Sequence, residues 1–254
     1  MSDERASSDA RLDRVNERIV RSRALILDVD GTLAETEEVH RLAFNAAFAR
    51  AGLAWCWGRV VYKDLLRVAG GKERIRAFDR RLGGTSSLSD AEIAELHMTK
   101  TTIYADLMAS GGCPLRPGVE ALLNQARTRG QRLAIATTTS RGNIDALLGP
   151  ALGRAWANRF VAIVAGDEVA NKKPAPDVYL EVLARLDLSA SECLAIEDSG
   201  IGLVAASRAG IPVLISRSAY FLDDDFSEAL YVTDDLGMLN GKGVVEEGKL
   251  RGAL

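Results

Sequence analysis

Histidine and cysteine are scarce in this chain of 254 residues. His40 and His97 are its only histidines, which excludes a metal centre built from several imidazoles. Cys56, Cys113 and Cys193 stand far apart, an odd number without metal-ligand spacing. They suit a reducing, cytoplasmic setting as small buried hydrophobes. No apolar run is long enough to span a bilayer, and no hydrophobic leader core stands near the start. With 26% charged residues and a net charge of −3, neither nucleic acid nor an anionic membrane is called for as partner. Internal repeats and low-complexity tracts are also missing. The length allows one large or two modest domains with a real core.

What is present centres on Asp28-Val29-Asp30-Gly31-Thr32-Leu33. The apolar run Ala24–Leu27 before it reads as a short buried strand. Two carboxylates two residues apart at a strand end could hold a hard cation, or divide nucleophilic and acid/base work. The alternative is an ordinary Asp-Gly turn. Residues 1–22 form a polar extension, a frayed tail or a short surface helix around Leu12, Val15 and Ile19. From Glu37 the pattern turns helical, with Val39, Leu42, Ala43, Ala46 and Ala47 on one face and a stop at Ala51-Gly52. Helical patterns continue over 59–81 and 90–108, interrupted by Gly70-Gly71 and Gly83-Gly84, and end near Gly111-Gly112-Cys113-Pro114.

After Pro117, strands and helices alternate. Strands are expected at Leu133–Ala136, Val161–Val164, Cys193–Ile196 and Val213–Ile215, with helices between them. This predicts an α/β fold, a doubly wound parallel sheet with an inserted α-helical block. The core is assigned to 23–36 and 116–254 and the helical insertion, a natural lid, to 37–115.

Asp28 and Asp30, Thr137, Lys173, and Glu197 with Asp198 all fall at strand C-terminal ends or just after them, where such a sheet gathers ligands. Several carboxylates together call for a cation. A Thr hydroxyl and a Lys ammonium complement a phosphate. The pattern points to Mg²⁺-dependent phosphoryl transfer. Asp198 could instead cap a helix N-terminus. Which hydroxyl of Thr137-Thr138-Thr139-Ser140 points inward stays open, as does the choice between Lys172 and Lys173.

These ordered motifs resemble the haloacid dehalogenase superfamily, from Arg23 to about Asp235. Ala34–His40, Gly70-Gly71-Lys72-Glu73-Arg74-Ile75, Thr137–Ser140, Lys172-Lys173-Pro174 and Ser218-Ala219-Tyr220 with Asp224-Asp225-Phe226 are similar to its CbbY-like sugar-bisphosphate phosphatases. The resemblance implies a Rossmann-like core with a cap. It makes Asp28 the nucleophile that forms a phosphoaspartyl intermediate and Asp30 the acid/base. Mg²⁺ would be held by Asp28, the Asp30 carbonyl and Asp198, with Glu197 a direct ligand or an acceptor for metal-bound water. Thr137 and Thr138 would bind phosphate. Lys173, next to the proline, would neutralise it and orient Asp28. Glu35, His40, Tyr62, Gly70, Gly71, Lys72, Arg74, Ser140 and Arg141 would contact the sugar or a second phosphate. Lys63 and Arg67 read better as an ordinary charged helix face. The implied activity is hydrolysis of xylulose-1,5-bisphosphate to xylulose 5-phosphate. The sequence leaves the oligomeric state open with a monomer favoured, and the expected compartment is the cytoplasm, or the plastid stroma in a photosynthetic eukaryote. The rivals are a β-phosphoglucomutase-like mutase, which shares these motifs, and a silent sugar-phosphate-binding protein.

Overall fold

The computed structural model describes residues 2–83, 88–111 and 113–240. Gly84, Gly112 and the stretch 241–254 of the expected core lie outside the described residues. Six parallel strands form one sheet in the order β3-β2-β1-β4-β5-β6. They are β1 (Ala24–Leu27), β2 (Arg132–Ala136), β3 (Ala162–Val164), β4 (Cys193–Glu197), β5 (Val213–Ser216) and β6 (Tyr231–Thr233). The last was not expected from the sequence. Its three residues, Tyr-Val-Thr, are too short for a period to show.

Strand alternation assigns the two faces different work. Leu25, Leu27, Leu133, Ile135, Leu194 and Ile196 point to one side. Ala24, Ile26, Ala134, Ala136, Cys193 and Ala195 point to the other. The small side chains of the second face let α8 (Asp177–Leu186) and α9 (Gly200–Arg208) pack close, through Val178, Tyr179, Val182, Leu203 and Ala206. The bulky face meets α6 (Val119–Thr128) and α7 (Arg141–Leu152), through Leu122, Leu123, Ile144 and Leu148. Burial on both faces explains why these strands read as continuous apolar runs.

The N-terminal segment is neither frayed nor short. Ser2–Arg21 is one helix, α1. Val15 and Ile19 are buried in the core, and Arg18 donates to the carbonyls of Ser191 (2.8 Å) and Cys193 (3.0 Å). Gln131 donates to the carbonyls of Ile19 and Ser22, which lie at its C-terminal end.

Between β1 and β2 run α2 (Glu37–Arg50), α3 (Arg59–Leu65), α4 (Gly71–Arg81) and α5 (Asp90–Gly111). Their shared interior is aromatic: Phe44, Phe48, Trp57 and Tyr62 are almost fully buried, with Trp55 and Phe78 against them. Offset and edge-on ring contacts at 4.7–6.3 Å join these six side chains. Helix α5 packs along α2 and also touches α7.

Candidate active site

The register of the sheet assembles the site. Leu27 is level with Ile135 on one side and Ile196 on the other. One residue further, Asp28 therefore lies between Ala136 and Glu197, and its N–H donates to the Ile196 carbonyl (3.0 Å). After β3 the chain leaves β1's left side and restarts as β4 on its right, so the crevice opens at Asp28.

Lys173 reaches this point from the loop before α8. Its ammonium donates to Asp28 Oδ1 (2.6 Å), Glu197 Oε1 (2.6 Å) and the Ala136 carbonyl (2.9 Å). Three donors meet three acceptors, in a group only 4% exposed. Burial opposes the Lys173 charge, but the Asp28 and Glu197 carboxylates outweigh it and hold its pKa above the usual lysine value. Lys172, the rival reading, turns away to Glu73 on α4 (2.9 Å).

Asp28, Glu197 and Asp198 bring carboxylate oxygens within 4.8 Å of one another. Burial first, then mutual repulsion, pushes Asp198 well above the ordinary carboxylate range. Burial raises Asp28 to about 8 despite Lys173. Asp198 Oδ2 is buried with no hydrogen-bond partner. The helix-cap reading of Asp198 is settled by its neighbour, because the Ser199 side chain caps α9 by accepting from Gly202 N–H. Three carboxylates with one ammonium among them, and one orphaned oxygen, fit a hard divalent cation with oxygen ligands. Gly31 makes room for Asp198: with φ +84°, a Cβ there would stand 1.9 Å from Asp198 Oδ2.

Asp30 faces the inserted helices. Its Oδ1 accepts from Thr36 Oγ1 (2.6 Å) and lies 3.0 Å from His40 Nε2. Lys100 Nζ lies 2.6 Å from His40 Nδ1. With the ammonium donating to Nδ1, the ring proton sits on Nε2 and points at Asp30. The imidazole is stacked on Tyr104 at 4.1 Å. Burial works against the Asp30 charge, yet His40 and Thr36 hold its pKa well below the usual range. Burial lowers Lys100 to about 7.

Thr137, Thr138, Thr139 and Ser140 line the same pocket, with Gly70, Gly71, Lys72 and Arg74 across from them. Ser140 also caps α7, accepting from Asn143 N–H. Three expected contacts are not brought there. Tyr62 is fully buried among the aromatics, its hydroxyl donating to Glu37 Oε2 (2.7 Å). Arg141 lies over the Trp156 ring, 5.9 Å from its centroid. Glu35 pairs with Arg116 (3.3 Å). In each case a nearer partner claims the group that the sequence offered to a ligand.

The pocket also contains residues not singled out from the sequence: Glu37, His97, Lys100 and Asn143. A signal for Lys100 existed. Ile93, Leu96, Ile103 and Tyr104 form the buried face of α5, and Lys100 occupies a place on it, only 3% exposed.

A buried aspartate held by a lysine at the switch point of a parallel sheet, with a cation-fitting acid cluster beside it, is the arrangement of a phosphoryl-transfer site. The chain belongs to the haloacid dehalogenase-like hydrolases, whose family model matches residues 22–210. It is 50% identical to protein CbbY of Rhodobacter capsulatus over 88% of this chain and 98% of that protein. It superposes with TM-score 0.81 on the crystal structure of CbbY from Rhodobacter sphaeroides in complex with phosphate, at 43% identity, covering 85% of this chain and 95% of that one. A mutant of the latter in complex with xylulose-(1,5)bisphosphate superposes equally well, at 42% identity and the same coverage. The protein is a phosphatase of this family. No described helix is long and apolar enough to cross a membrane.

Proposed function

We propose that this phosphatase hydrolyses xylulose-1,5-bisphosphate to xylulose 5-phosphate through a phosphoaspartyl intermediate on Asp28, with Mg²⁺ as its ion. The observation that carries the reading is the division of the two carboxylates. Asp28 is bound to Lys173 beside the acid cluster, and Asp30 is bound to His40 beneath the inserted helices. The relative's complex with xylulose-(1,5)bisphosphate supports the choice of substrate.

Lys173 fixes the Asp28 carboxylate so that its free oxygen attacks phosphorus. Asp30 gives a proton to the departing sugar oxygen, then takes one from the water that attacks the aspartyl phosphate. His40 and Thr36 favour the base form of Asp30, so a proton must reach it before the first step. The Lys100 ammonium is the adjoining source: it passes a proton to His40 Nδ1 as His40 Nε2 gives its own to Asp30, leaving Lys100 and the imidazole both neutral. Asp28, Asp198, Glu197 and the Asp30 carbonyl would hold Mg²⁺, which when bound supplies charge neutralisation between the anionic nucleophile and the anionic phosphate. Thr137 and the N-terminus of α7 would donate to the transferring phosphoryl oxygens. Lys72 and Arg74 would meet the second phosphate, with residues 37–115 as the cap that carries them.

A panel of pentulose and hexose mono- and bisphosphates ranked by kcat/KM tests this reading. Xylulose-1,5-bisphosphate should rank first with release of free phosphate, and Asp28→Asn should abolish it in a folded protein. An isomerised hexose phosphate without free phosphate would make the enzyme a mutase. Turnover by folded Asp28→Asn would remove the nucleophile assignment.

A further inference from the structure

His97 takes no part in the reaction just described, yet it stands in the wall of the same pocket as Lys72, Arg74, Lys100 and Lys172. It lies on α5, three residues before Lys100. Its ring presses on the first turn of α4: a Cβ added to Gly71 would lie 2.4 Å from His97 Nε2 and 2.6 Å from Cδ2. Only a glycine there admits the imidazole, and the contact sets Nε2 against the backbone where α4 begins. Among the described residues the ring nitrogens have no hydrogen-bond partner; only the His97 main-chain carbonyl is engaged, by Thr101.

The groups facing the ring are nearly all basic. Lys100 stands on its own helix, Lys72 on α4, Lys172 on the loop before α8, and His40 on α2. The nearby carboxylate, Glu73, is bound to Lys172. Burial, and then these cations, push the imidazole down to about 3, so it is neutral at rest. A neutral imidazole beside three lysines is poised to change state when a dianion arrives. The negative charge cancels the repulsion that had kept the proton away.

We propose that His97 is a specificity-determining residue: it reads the second phosphate of a bisphosphate, taking up a proton as that dianion settles against Lys72, Lys172 and the start of α4. This rests on the bisphosphate reading above and adds a residue and a proton to it. The balance is simple. One proton passes from solvent to an imidazole nitrogen, giving an imidazolium whose N–H donates to a phosphate oxygen, and no bond to phosphorus changes. A sugar phosphate without the second phosphate leaves the ring neutral and gains nothing from it. Because binding takes up a proton, affinity for the bisphosphate falls as pH rises, beyond any trend seen with the monophosphate.

The test uses the full chain. Binding of xylulose 1,5-bisphosphate and of xylulose 1-phosphate to the Asp28→Asn protein is measured by calorimetry at about pH 7, in two buffers of different ionisation enthalpy. The bisphosphate should take up more protons than the monophosphate, and the excess should vanish when His97→Asn or His97→Gln is added. With Asp28 intact, His97→Asn should raise KM for the bisphosphate about tenfold, the worth of one charge-assisted hydrogen bond. KM for xylulose 1-phosphate and both kcat values should hold. An excess uptake that survives in both variants, or equal KM losses on the two substrates, overturns the role of His97 alone. A wild-type protein that does not turn over the bisphosphate overturns the bisphosphate reading and this inference with it.

Discussion

The Arg116 guanidinium donates to the carbonyl of Gly31, the residue directly after Asp30. The same group donates to the carbonyls of Ser216 (2.8 Å), Arg217 (2.5 Å) and Asp234 (2.6 Å), and its Nε lies 3.3 Å from Glu35. One side chain, 7% exposed, thus joins the Asp28–Gly31 turn, the strand ends of β5 and β6, and the segment leading into α2. Only the planar fork of arginine presents five donors in this way.

Arg116→Lys keeps the charge but leaves buried carbonyls short of donors, at about 1–3 kcal/mol for each one orphaned. We expect stability to fall by about that amount and kcat by about tenfold, a loss of ~1.4 kcal/mol in the transition state, with KM little changed. Urea unfolding and steady-state kinetics check the two effects. An unchanged kcat in a destabilised protein would confine Arg116 to the scaffold.

Asp198 and Asp28 set the stability of the metal-free protein. Burial raises both, Asp28 to about 8, so between the ordinary carboxylate range and about pH 8 the folded chain holds protons that the unfolded chain has lost. Stability without metal should therefore fall as pH rises through that window, and Mg²⁺ should restore it. Asp198→Asn removes one of the two raised carboxyl groups. It should melt higher than wild type without metal and lose the Mg²⁺-induced rise. Its Mg²⁺ affinity should drop more than about 100-fold, beyond the cost of losing an outer-shell partner. Melting curves with and without Mg²⁺ from pH 5 to pH 8 decide it.

The gathering of Asp28, Lys173, Glu197 and Asp198 was legible because these residues sit at strand ends or just after them. Apolar runs such as Ala24–Leu27 and Cys193–Ile196 can hardly be anything but buried strands, and parallel register does the rest by bringing Asp28 level with Glu197. The inserted helices were legible as helices, but not in their contacts. A tyrosine there reads equally as ligand-binding or core, and the burial of Tyr62 is decided by Trp57, Phe44 and Glu37, which no local pattern foretells. Lys100 and His97 were missed because they matter through side chains on other helices, His40 on α2 and Gly71 on α4. The docking of α1 escaped for a similar reason, since Arg18 and Gln131 join it to segments far along the chain.

Glu73 and Lys172 form an ion pair between α4 and the loop before α8 (2.9 Å), and Lys172 lines the pocket. The Glu73 side chain is 44% exposed, so the pair contributes little, about 0–1 kcal/mol. Its larger effect is competitive, because Glu73 occupies a lysine that a second phosphate would use. Glu73→Gln should leave the melting temperature within about 2 °C. It should lower KM for the bisphosphate a few-fold while leaving that for xylulose 1-phosphate unchanged. A raised KM would instead mean that the pair holds α4 in place for the ligand.

Lys100 gives activity and stability opposite pH trends. Burial lowers its pKa to about 7, with Asp30 opposing. From there up to the ordinary lysine range, the unfolded chain carries a proton that the folded chain does not, so stability rises with pH across that window. Below about pH 7 the buried ammonium is charged and costs stability. The charged form is the one that donates to His40 and keeps its Nε2 proton on Asp30, so kcat should fall as pH rises through the same point. Lys100→Met has neither proton nor charge. It should lose the pH-dependent rise in stability seen in wild type. Its kcat should be about 10²-fold lower, the scale of a lost acid/base contribution, and free of the fall near pH 7. Melting temperature and kcat, measured on wild type and variant from pH 6 to pH 9 with saturating Mg²⁺ to suppress the opposite trend of Asp28 and Asp198, separate the two effects. A wild-type kcat that is flat over this range would place the proton source of Asp30 elsewhere than the His40–Lys100 pair.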